Sequence, residues 1–450
     1  MADEIPAIQI LDKKNYFQQT LLPLPNALPY PALGPSSLRL RTSVLSLTVN
    51  NFTYAALGTL RNWWDVHPLP PSTPAPYNDA SKYGRINAWG YAEVLESTVP
   101  EVPKGSYLWG YVPLGTLPQD LEVELHPNGN IADQIFVTNA YRRHLMSIYN
   151  RYFVYPASSS SSPIGAEIAQ KTSGVAYDAL LRVMHATAFL MARFAFSADP
   201  ARTIDPVPGP DDDAVQQQWG AQNADLRDAT VLVFAPGSKA ALAFAALLRA
   251  RDGAEEKQDD DDDGRPARIV GVPSEASKAF VEGTGLYDAV APTSSDPAAA
   301  LRNVGHEEEE EDGGKKKKIV IFDFGGRDGI AMRWAAALAP SSNNNNNNLL
   351  YVRVGSGIID PSKGLPAAGA SQPPFTVAQV SAGDMRRRAM KRVGEERYWA
   401  EEMASWEKFR REGIKGFGVN WGEGMEDVIR GWDRLARGEV LPSEGLVYKL

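Results

Sequence analysis

The chain has 450 residues, of which 43% are hydrophobic and 22% are charged, and it carries a net charge of −9. This length is enough for two domains, each with a core of its own. Two acidic runs supply eleven negative charges and one lysine run supplies four positive charges, so the rest of the chain is nearly neutral at −2. This balance argues against a basic nucleic-acid-binding surface.

The chain contains no cysteine and only five histidines. Disulfides, thiolate catalysis and cysteine-bearing zinc sites are therefore excluded. The H-x-x-H and H-E-x-x-H spacings are also missing, so we expect no metal site. Residues 1–16 carry charges and no apolar segment, and no stretch approaches 18 uncharged apolar residues. We expect a soluble, cytoplasmic protein with no membrane partner.

Residues 38–125 are predicted to be β-rich. Leu38–Val49 is dense in β-forming residues, and Ala88–Glu96 and Tyr107–Val112 are short apolar runs bounded by Gly and Pro. From Val175 to Phe196 the apolar residues recur at helical spacing. Met385–Leu450 is predicted to be helical and charged, apart from a final strand over Val440–Leu450.

Strands and helices alternate from residue 231 onward. Uninterrupted Val/Ile/Leu strands separated by amphipathic helices indicate a parallel sheet covered on both faces. The predicted strands are Val231–Phe234, Arg268–Val272, Tyr287–Val290, Ile319–Phe324 and Leu349–Val354. The predicted helices are Lys239–Ala250, Ser274–Glu282 and Ile330–Leu338. The fold class is therefore α/β with a doubly wound parallel sheet, beside a β-rich domain.

Four low-complexity tracts interrupt the sequence. Polar homopolymers bury too little apolar area to offset the entropy lost on ordering, so each tract is predicted to be a mobile surface loop. The last three fall between a helix and the next strand, which indicates expanded turns instead of domain linkers. The tracts are Ser158–Ser162, Asp259–Asp263, Glu307–Lys318 and Asn343–Asn348.

The turn after the first of these strands is a candidate phosphate site. In a doubly wound sheet this turn meets the pyrophosphate of a dinucleotide through backbone N–H groups and the helix dipole. Only Gly237 is present, so the G-x-G-x-x-G fingerprint is absent. Ser238 still permits close approach and Lys239 supplies a charge. An ordinary turn without a ligand is the alternative.

The end of the second strand bears on the choice of dinucleotide. Sites that select NAD usually place Asp or Glu there to bind the ribose 2′-OH. This chain has Ser274, with Lys278 one turn further on, and a hydroxyl and a lysine suit a 2′-phosphate better. Ser274 is equally a good helix N-cap, and the two roles can coexist.

Glycines follow the fourth and fifth strands of the predicted sheet. Gly325 and Gly326 follow Asp323-Phe324, and Gly355 and Gly357 follow the fifth strand. A kinase D-F-G assignment fails because the H-R-D loop and the V-A-I-K strand are absent. These turns lie at the carboxyl edge, where ligands bind in such sheets, so we predict a ligand crevice there.

Tyr54 is the candidate proton donor of the N-terminal region. It lies in Asn50-Asn51-Phe52-Thr53-Tyr54, and its phenol could donate a proton or hydrogen bond to a carbonyl. A hydrogen-bonded core tyrosine is the alternative. Aromatic residues follow that either line a pocket for flat apolar substrates or fill a barrel core. They are Trp63, Trp64, Trp89, Tyr91, Trp109 and Tyr111.

The order of these segments resembles the medium-chain dehydrogenase/reductase superfamily, and more narrowly its zinc-independent quinone and enoyl reductases. The chain most resembles an uncharacterised, mainly fungal domain-of-unknown-function family in that neighbourhood. Five stretches carry the resemblance and together cover most of residues 38–355. They are Arg41–Asn50 with Tyr54 and Gly58, Trp89–Val94, Pro103–Gly110, Val231–Leu242 and Ile269–Val290.

The resemblance implies a GroES-like barrel domain over residues 1–170, completed by about 370–450, and a Rossmann-like nucleotide-binding domain over residues 171–369. It implies NADP as cofactor, a small-molecule substrate and a homodimer. It places Asn51 and Tyr54 near the substrate and Gly237, Ser238 and Lys239 at the phosphates. Ser274 and Lys278 would lie at the adenosine end, and Gly325, Gly326, Gly355 and Gly357 along the nicotinamide side.

The chain departs from that superfamily in its nucleotide turn, which lacks the diglycine, and in the absence of the catalytic zinc ligands and the four structural cysteines. A zinc Lewis-acid mechanism is therefore excluded. The leading hypothesis is an NADPH-dependent reductase of quinones, enones or similar activated carbonyls. The alternatives are a non-catalytic or cofactor-free binding protein, or another enzyme such as a lyase or a thioester-processing reductase.

Overall fold

The structure is a computed structural model. The structure describes residues 5–27, 29–126, 133–157, 164–209, 219–252, 264–305, 317–339, 348–355, 361 and 373–450. The chain divides into two compact units. The first unit comprises Met1–Arg182, Ile358–Pro366 and Gly418–Leu450, and the second comprises Val183–Gly357 and Ala367–Phe417.

Seventeen strands are found among the described residues. They are β1 (Ala7–Asp12), β2 (Gln19–Pro23), β3 (Ser37–Leu47), β4 (Tyr83–Gly84), β5 (Asn87–Ser97), β6 (Tyr107–Pro113), β7 (Gln119–Leu125), β8 (Gln134–Val137), β9 (Arg151–Tyr155), β10 (Thr230–Phe234), β11 (Arg268–Val272), β12 (Ala289–Val290), β13 (Ile319–Asp323), β14 (Leu349–Arg353), β15 (Thr376–Gln379), β16 (Gly418–Glu423) and β17 (Glu444–Lys449).

The α-helices of the described residues range from one turn to five turns in length. They are α1 (Val49–Ala56), α2 (Ser147–Asn150), α3 (Ile164–Ala169), α4 (Ser173–Leu190), α5 (Ala221–Ala224), α6 (Lys239–Arg249), α7 (Glu275–Thr284), α8 (Pro297–Asn303), α9 (Ile330–Leu338), α10 (Ala382–Val393), α11 (Glu395–Glu412) and α12 (Gly424–Ala436).

A closed barrel forms the centre of the first unit. Its main sheet has the order β16-β17-β3-β5-β6-β9-β8-β7, and β3 also pairs with β7, so six strands close on themselves. The 11-residue strand β3 pairs with β5, β7 and β17, and its register with β5 shifts at Arg39/Leu40 and again at Thr42/Val44. Such bulges bend a strand and let a sheet close. A separate three-stranded sheet has the order β2-β1-β4.

A six-stranded parallel sheet forms the centre of the second unit. Its order is β12-β11-β10-β13-β14-β15, the doubly wound arrangement in which the sheet grows outward from β10 in both directions. Every residue of β10 is buried, which explains its uninterrupted run of apolar side chains. The predicted fold class, a Rossmann-like sheet and a GroES-like barrel, is confirmed.

The observed units divide the chain differently from the predicted domains. Residues 370–417, predicted to complete the first domain, lie in the second unit, and residues 171–182, predicted for the second domain, lie in the first unit. Strand β15 extends the parallel sheet beside β14, and the Arg388 side chain donates to the carbonyl oxygens of Asp205 and Val207 at 2.7 and 2.8 Å. The predicted helical region also contains strand β16, which pairs with β17.

The low-complexity tracts Ser158–Ser162 and Asp259–Asp263 lie outside the described residues, as do most of Glu307–Lys318 and Asn343–Asn348. Lys318 departs from the predicted surface loop. Its Nζ donates to the carbonyl oxygens of Gln222, Asn223 and Asp225 at 2.7, 3.0 and 2.7 Å. Burial lowers the pKa of Lys318 to about 8. The last lysine of the run is therefore a structural residue.

One helical stretch among the described residues, Ser173–Ala195, is long and apolar enough to cross a membrane by length and composition. Within the protein, 83% of the 18-residue segment that meets this criterion is buried. Helices buried in the core of a protein commonly combine this length with this composition.

Candidate functional site

The predicted nucleotide-site residues follow neighbouring strands of the parallel sheet. Phe234 at the end of β10 pairs with Val272 on one side and Asp323 on the other, and Asp323 pairs with Arg353. The turns after β10, β11, β13 and β14 therefore share the carboxyl edge of one sheet. The strand order reverses between β10 and β13, the position at which ligands bind in such sheets. Gly357 lies outside the described residues.

The turn after β10 is held in an uncommon conformation by its first residue. Ala235 has φ 52°, in the left-handed region that disfavours side chains with a Cβ atom. Such a residue costs about 1 kcal/mol or more and persists where its surroundings fix it. Here the Tyr287 hydroxyl donates to the Pro236 carbonyl oxygen at 2.7 Å. The sequence indicated neither contact nor strain, since Ala235 resembles an ordinary small turn residue.

Ser238 is the N-cap of α6, and its hydroxyl has no hydrogen-bond partner among the described residues although it is buried. An N-cap serine ordinarily accepts from the second or third N–H of its helix. A buried hydroxyl without a partner costs about 1–3 kcal/mol. A ligand oxygen at the start of α6 would satisfy it, together with backbone N–H groups of the first helical turn.

Lys239 is the first residue of α6. Burial lowers the pKa of its amine to about 8, and Nζ lies 5.3 Å from the centroid of the Phe417 ring. A positive charge at a helix N-terminus is opposed by the helix dipole. An anion bound beside the amine would offset both the dipole and the loss of hydration.

Ser274 and Lys278 lie at the start of α7, after β11. Ser274 is the N-cap, and its hydroxyl lies 3.0 Å from that of Ser277. Lys278 is partly exposed, with Nζ 3.8 Å from a carboxylate oxygen of Glu282. The Glu275 carboxylate accepts from the Ser294 hydroxyl at 2.6 Å. The serine and the lysine share one helical turn, and their role at a 2′-phosphate stays a prediction.

Asp323, at the end of β13, organises the two glycines that follow it. Its Oδ1 accepts from the N–H groups of Gly325 and Gly326 at 3.0 and 2.7 Å, and its Oδ2 accepts from the Tyr351 hydroxyl at 2.7 Å. Gly325 has φ 105°, and a Cβ at Gly326 would lie 3.3 Å from Asp323 Oδ1. The carboxylate therefore fixes a turn that needs glycine.

The remaining described glycine of the predicted edge, Gly355, follows β14. Its N–H donates to the Asp323 carbonyl oxygen at 3.3 Å, beside the bond of 2.9 Å from Val354. The structural role of Asp323 was not predicted from the sequence. The signal for its structural role was a carboxylate at the end of an apolar strand and directly before a Gly-bearing turn.

Tyr54 lies in the core of the first unit and is only 5% exposed. Its hydroxyl accepts from the indole N–H of Trp89 at 3.0 Å and also hydrogen-bonds with the Asn50 side chain. Burial raises the pKa of the phenol to about 12. The ring packs against Trp63, Tyr111 and Tyr149 at centroid distances of 5.0, 5.2 and 6.1 Å.

Asn51 forms a cap at the start of α1. Its Oδ1 accepts from the Thr48 N–H at 2.8 Å, and its Nδ2 donates to the Asn87 carbonyl oxygen at 2.9 Å. Both ends of the amide are thus engaged within the first unit. The substrate roles of Asn51 and Tyr54 stay predictions. The six aromatic residues noted in the sequence, Trp63, Trp64, Trp89, Tyr91, Trp109 and Tyr111, are all buried.

In the part of the chain that the structure describes, no three His, Cys, Asp or Glu side chains are grouped to hold a metal ion. The donor groups at the carboxyl edge are hydroxyl, amine and backbone N–H groups. They suit an anion such as a phosphate better than a cation.

Solved structures share this fold across nearly the whole chain. CurA from Vibrio vulnificus in complex with NADPH matches at 12% identity with a TM-score of 0.52, over 96% of this chain and 94% of that chain. Mycobacterial Rv1454c complexed with NADPH matches at 13% identity with a TM-score of 0.51, over 99% of this chain and 100% of that one. The CurF ER cyclopropanase of curacin A biosynthesis matches at 11% identity with a TM-score of 0.51, over 99% of both chains.

At these identities the likeness establishes the fold, which is that of the medium-chain enoyl and quinone reductases. No curated protein sequence matches the chain significantly. The family described as "Protein of unknown function (DUF2855)" matches residues 45–441, most of the chain. The predicted resemblance is thereby confirmed, and the chain belongs to the DUF2855 family, which here has the medium-chain dehydrogenase/reductase fold.

Proposed function

We propose that this protein binds NADPH at the carboxyl edge of its parallel sheet and reduces quinones, enones or similar activated carbonyl compounds. The observation that carries the proposal is the buried Ser238 hydroxyl, which has no hydrogen-bond partner among the described residues and lies at the start of α6, beside the reversal of strand order. Two solved structures of the same fold are complexes with NADPH, which supports this choice of ligand.

The residues at the carboxyl edge of the sheet offer hydrogen-bond donors that suit the phosphate groups of a dinucleotide. Ser238, Lys239 and the backbone at Gly237 would hold the pyrophosphate, where an anion also relieves the buried amine. Ser274 and Lys278 would hold the 2′-phosphate through a hydroxyl and a partly exposed lysine side chain. The turns at Gly325, Gly326 and Gly355 would leave space beside the nicotinamide, since none of these residues has a side chain.

When bound, NADPH supplies a hydride to the substrate, so the chain itself needs to orient the reactants and deliver a proton. Tyr54 is the proposed proton donor. Because its pKa is raised to about 12, the phenol keeps its proton at neutral pH. Reaching a substrate oxygen would require the hydroxyl to exchange its bond with Asn50 for one with the substrate.

A second candidate function is a nucleotide-binding protein without catalysis. It is favoured by the hydrogen bonds that the Tyr54 and Asn51 side chains already form within the first unit, because these bonds give both residues a structural role. This candidate shares the proposed nucleotide site and differs only in lacking turnover.

A thermal-shift titration with NADPH, NADP and NADH tests the proposal. A ligand at 100 times its dissociation constant stabilises a protein by about 2.7 kcal/mol. We expect a saturable rise in melting temperature with NADPH and NADP, and a smaller rise with NADH. No rise with any of them would refute the nucleotide site. Binding of NADPH without its oxidation by any quinone or enone tested would favour the second candidate.

A further inference from the structure

The interior of the first unit contains a group of buried basic side chains, here termed the basic cluster, formed by His67, Arg85 and Arg142. Their exposed fractions are 1%, 1% and 0%. Burial lowers the pKa of His67 well below its ordinary value, and the charges of Arg142 and Arg85 lower it further. Both guanidinium groups therefore act on the same imidazole.

Neither arginine forms an ion pair with a carboxylate in the described part of the chain. Arg142 donates from Nε to the Asn150 side chain at 3.0 Å and from Nη2 to the Tyr149 carbonyl oxygen at 2.6 Å. Its Nη1 is buried without a hydrogen-bond partner among the described residues. Burying an ionised group is costly unless an opposite charge and hydrogen bonds compensate it.

Arg85 is the less satisfied of the two. Its one hydrogen bond within the described residues joins Nη1 to the Gln119 side-chain oxygen at 3.4 Å. Nε and Nη2, which form one edge of the guanidinium, are both buried without a partner there. Burial lowers the pKa of Arg85 to about 10, so the group remains charged at neutral pH. The described residues therefore provide no acceptor for this positively charged edge of Arg85, which has two parallel N–H groups.

Arg39, in the same unit, shows what such an edge ordinarily binds. It is 6% exposed, and its Nε and Nη2 donate to the two carboxylate oxygens of Asp120, each at 2.7 Å. This is the bidentate arrangement that a planar guanidinium forms with a planar carboxylate. Arg85 presents the same edge at deeper burial, and no acidic side chain of the described residues pairs with it.

We propose that the Nε–Nη2 edge of Arg85 binds the carboxylate of a small organic anion, with Arg142 as a second positive charge of the basic cluster. Two parallel donors match two coplanar oxygens. A carboxylate carries one negative charge, so it costs less to bury than a phosphate dianion, whose hydration is far stronger. The cluster lies wholly within the first unit, so the proposal does not depend on nucleotide binding.

The test compares anions at constant ionic strength and pH. The full-length protein is dialysed into chloride buffer, equilibrated for hours with sodium formate, acetate, phosphate or chloride, and melted. We expect formate or acetate to raise the melting temperature saturably, and phosphate to act no differently from chloride. A carboxylate that survives dialysis is measured by ion chromatography of the denatured protein, and one equivalent per chain supports the proposal equally.

Two variants locate the effect. Arg85→Lys keeps a positive charge but loses the paired donors, and should weaken carboxylate binding at least about tenfold. Arg41→Lys changes an exposed arginine of the same unit and should bind as the wild type does. If Arg85→Lys does not fold, the anion titration and the retained-anion assay of the wild-type protein test the proposal on their own.

Three outcomes overturn the proposal. The first is no carboxylate-dependent shift together with no retained carboxylate, which would mean that buried water fills the edge. The second is stabilisation by phosphate alone. The third is equal weakening in Arg41→Lys and Arg85→Lys, which would show a general salt effect.

Discussion

The hydroxyl of Tyr287 donates a hydrogen bond of 2.7 Å to the carbonyl oxygen of Pro236, and so ties the segment before β12 to the turn after β10. The turn contains the left-handed Ala235 and leads directly to Ser238. Burial raises the pKa of Tyr287 above its ordinary value, so the phenol remains a donor at neutral pH. The conformation of the proposed phosphate-binding turn thus depends on a side chain about fifty residues away.

Tyr287→Phe should destabilise the protein by about 1 kcal/mol, because the buried Pro236 carbonyl loses its donor. We also expect weaker NADPH binding, since the turn loses a contact that fixes it. Chemical denaturation and a nucleotide titration measure the two effects. Tyr83→Phe is the control, since the Tyr83 hydroxyl makes no hydrogen bond among the described residues. Unchanged affinity in Tyr287→Phe would show that the turn is held by other contacts.

Ser238→Ala should separate stability from ligand binding. The hydroxyl has no partner within the described residues, so its removal should leave the melting temperature of the nucleotide-free protein unchanged or slightly higher. Affinity for NADPH should fall about tenfold, the effect of one lost hydrogen bond to a charged group. Destabilisation without any change in affinity would mean that the hydroxyl serves the fold alone.

The lowered pKa of Lys239 predicts that nucleotide binding depends on pH. Burial lowers its pKa to about 8, so the amine is protonated and attracts phosphate below that pH. Affinity for NADP should therefore be full below pH 8 and weaken as the pH rises through and above it, with bound phosphate shifting the decline upward. Calorimetric titrations across this range measure it.

Two lysine variants test the assignment of that pH dependence. Lys239→Met should bind more weakly and lose the dependence, whereas Lys391→Met, which removes an exposed lysine of the same unit, should retain it. A decline that persists in Lys239→Met would assign the titration to another group.

Tyr54→Phe should cost about 1–2 kcal/mol of stability, because the indole N–H of Trp89 loses its acceptor in a buried site. If the phenol is the proton donor, kcat should fall about a hundredfold or more while NADPH affinity stays unchanged. Urea denaturation and steady-state kinetics separate the two effects. Loss of stability with unchanged kcat would leave Tyr54 as a core residue.

The parallel sheet could be predicted from the sequence because its central strands are buried on both faces. Such strands are continuous apolar runs, as in residues 319–322 of β13. Strand β15 (Thr376–Gln379) was missed because it lies at the sheet edge with one buried residue, and β16 because its polar and glycine residues have no strand pattern. Hydrophobic patterning is weak where a strand covers little core.

The candidate site was predictable only as a set of turns. The order of strands brings those turns to one edge, so their positions follow from topology. The contacts that decide their chemistry join residues far apart in sequence. Tyr287 reaches Pro236, and Arg142 and Arg85 act on His67. No local pattern encodes such pairs, because each side chain alone is compatible with a surface or a core position.

Lys318 sets a limit on how the chain can vary in length. Its ammonium group binds three carbonyl oxygens around α5 at the point where β13 begins. Insertions or deletions in the preceding Glu/Lys tract are therefore compatible with the sheet only if they keep a lysine immediately before Ile319. A trimmed protein for crystallisation, or an epitope inserted there, should have its junction upstream of Lys318. The Glu/Lys tract can therefore change in length, provided that Lys318 keeps its hydrogen bonds at the start of β13.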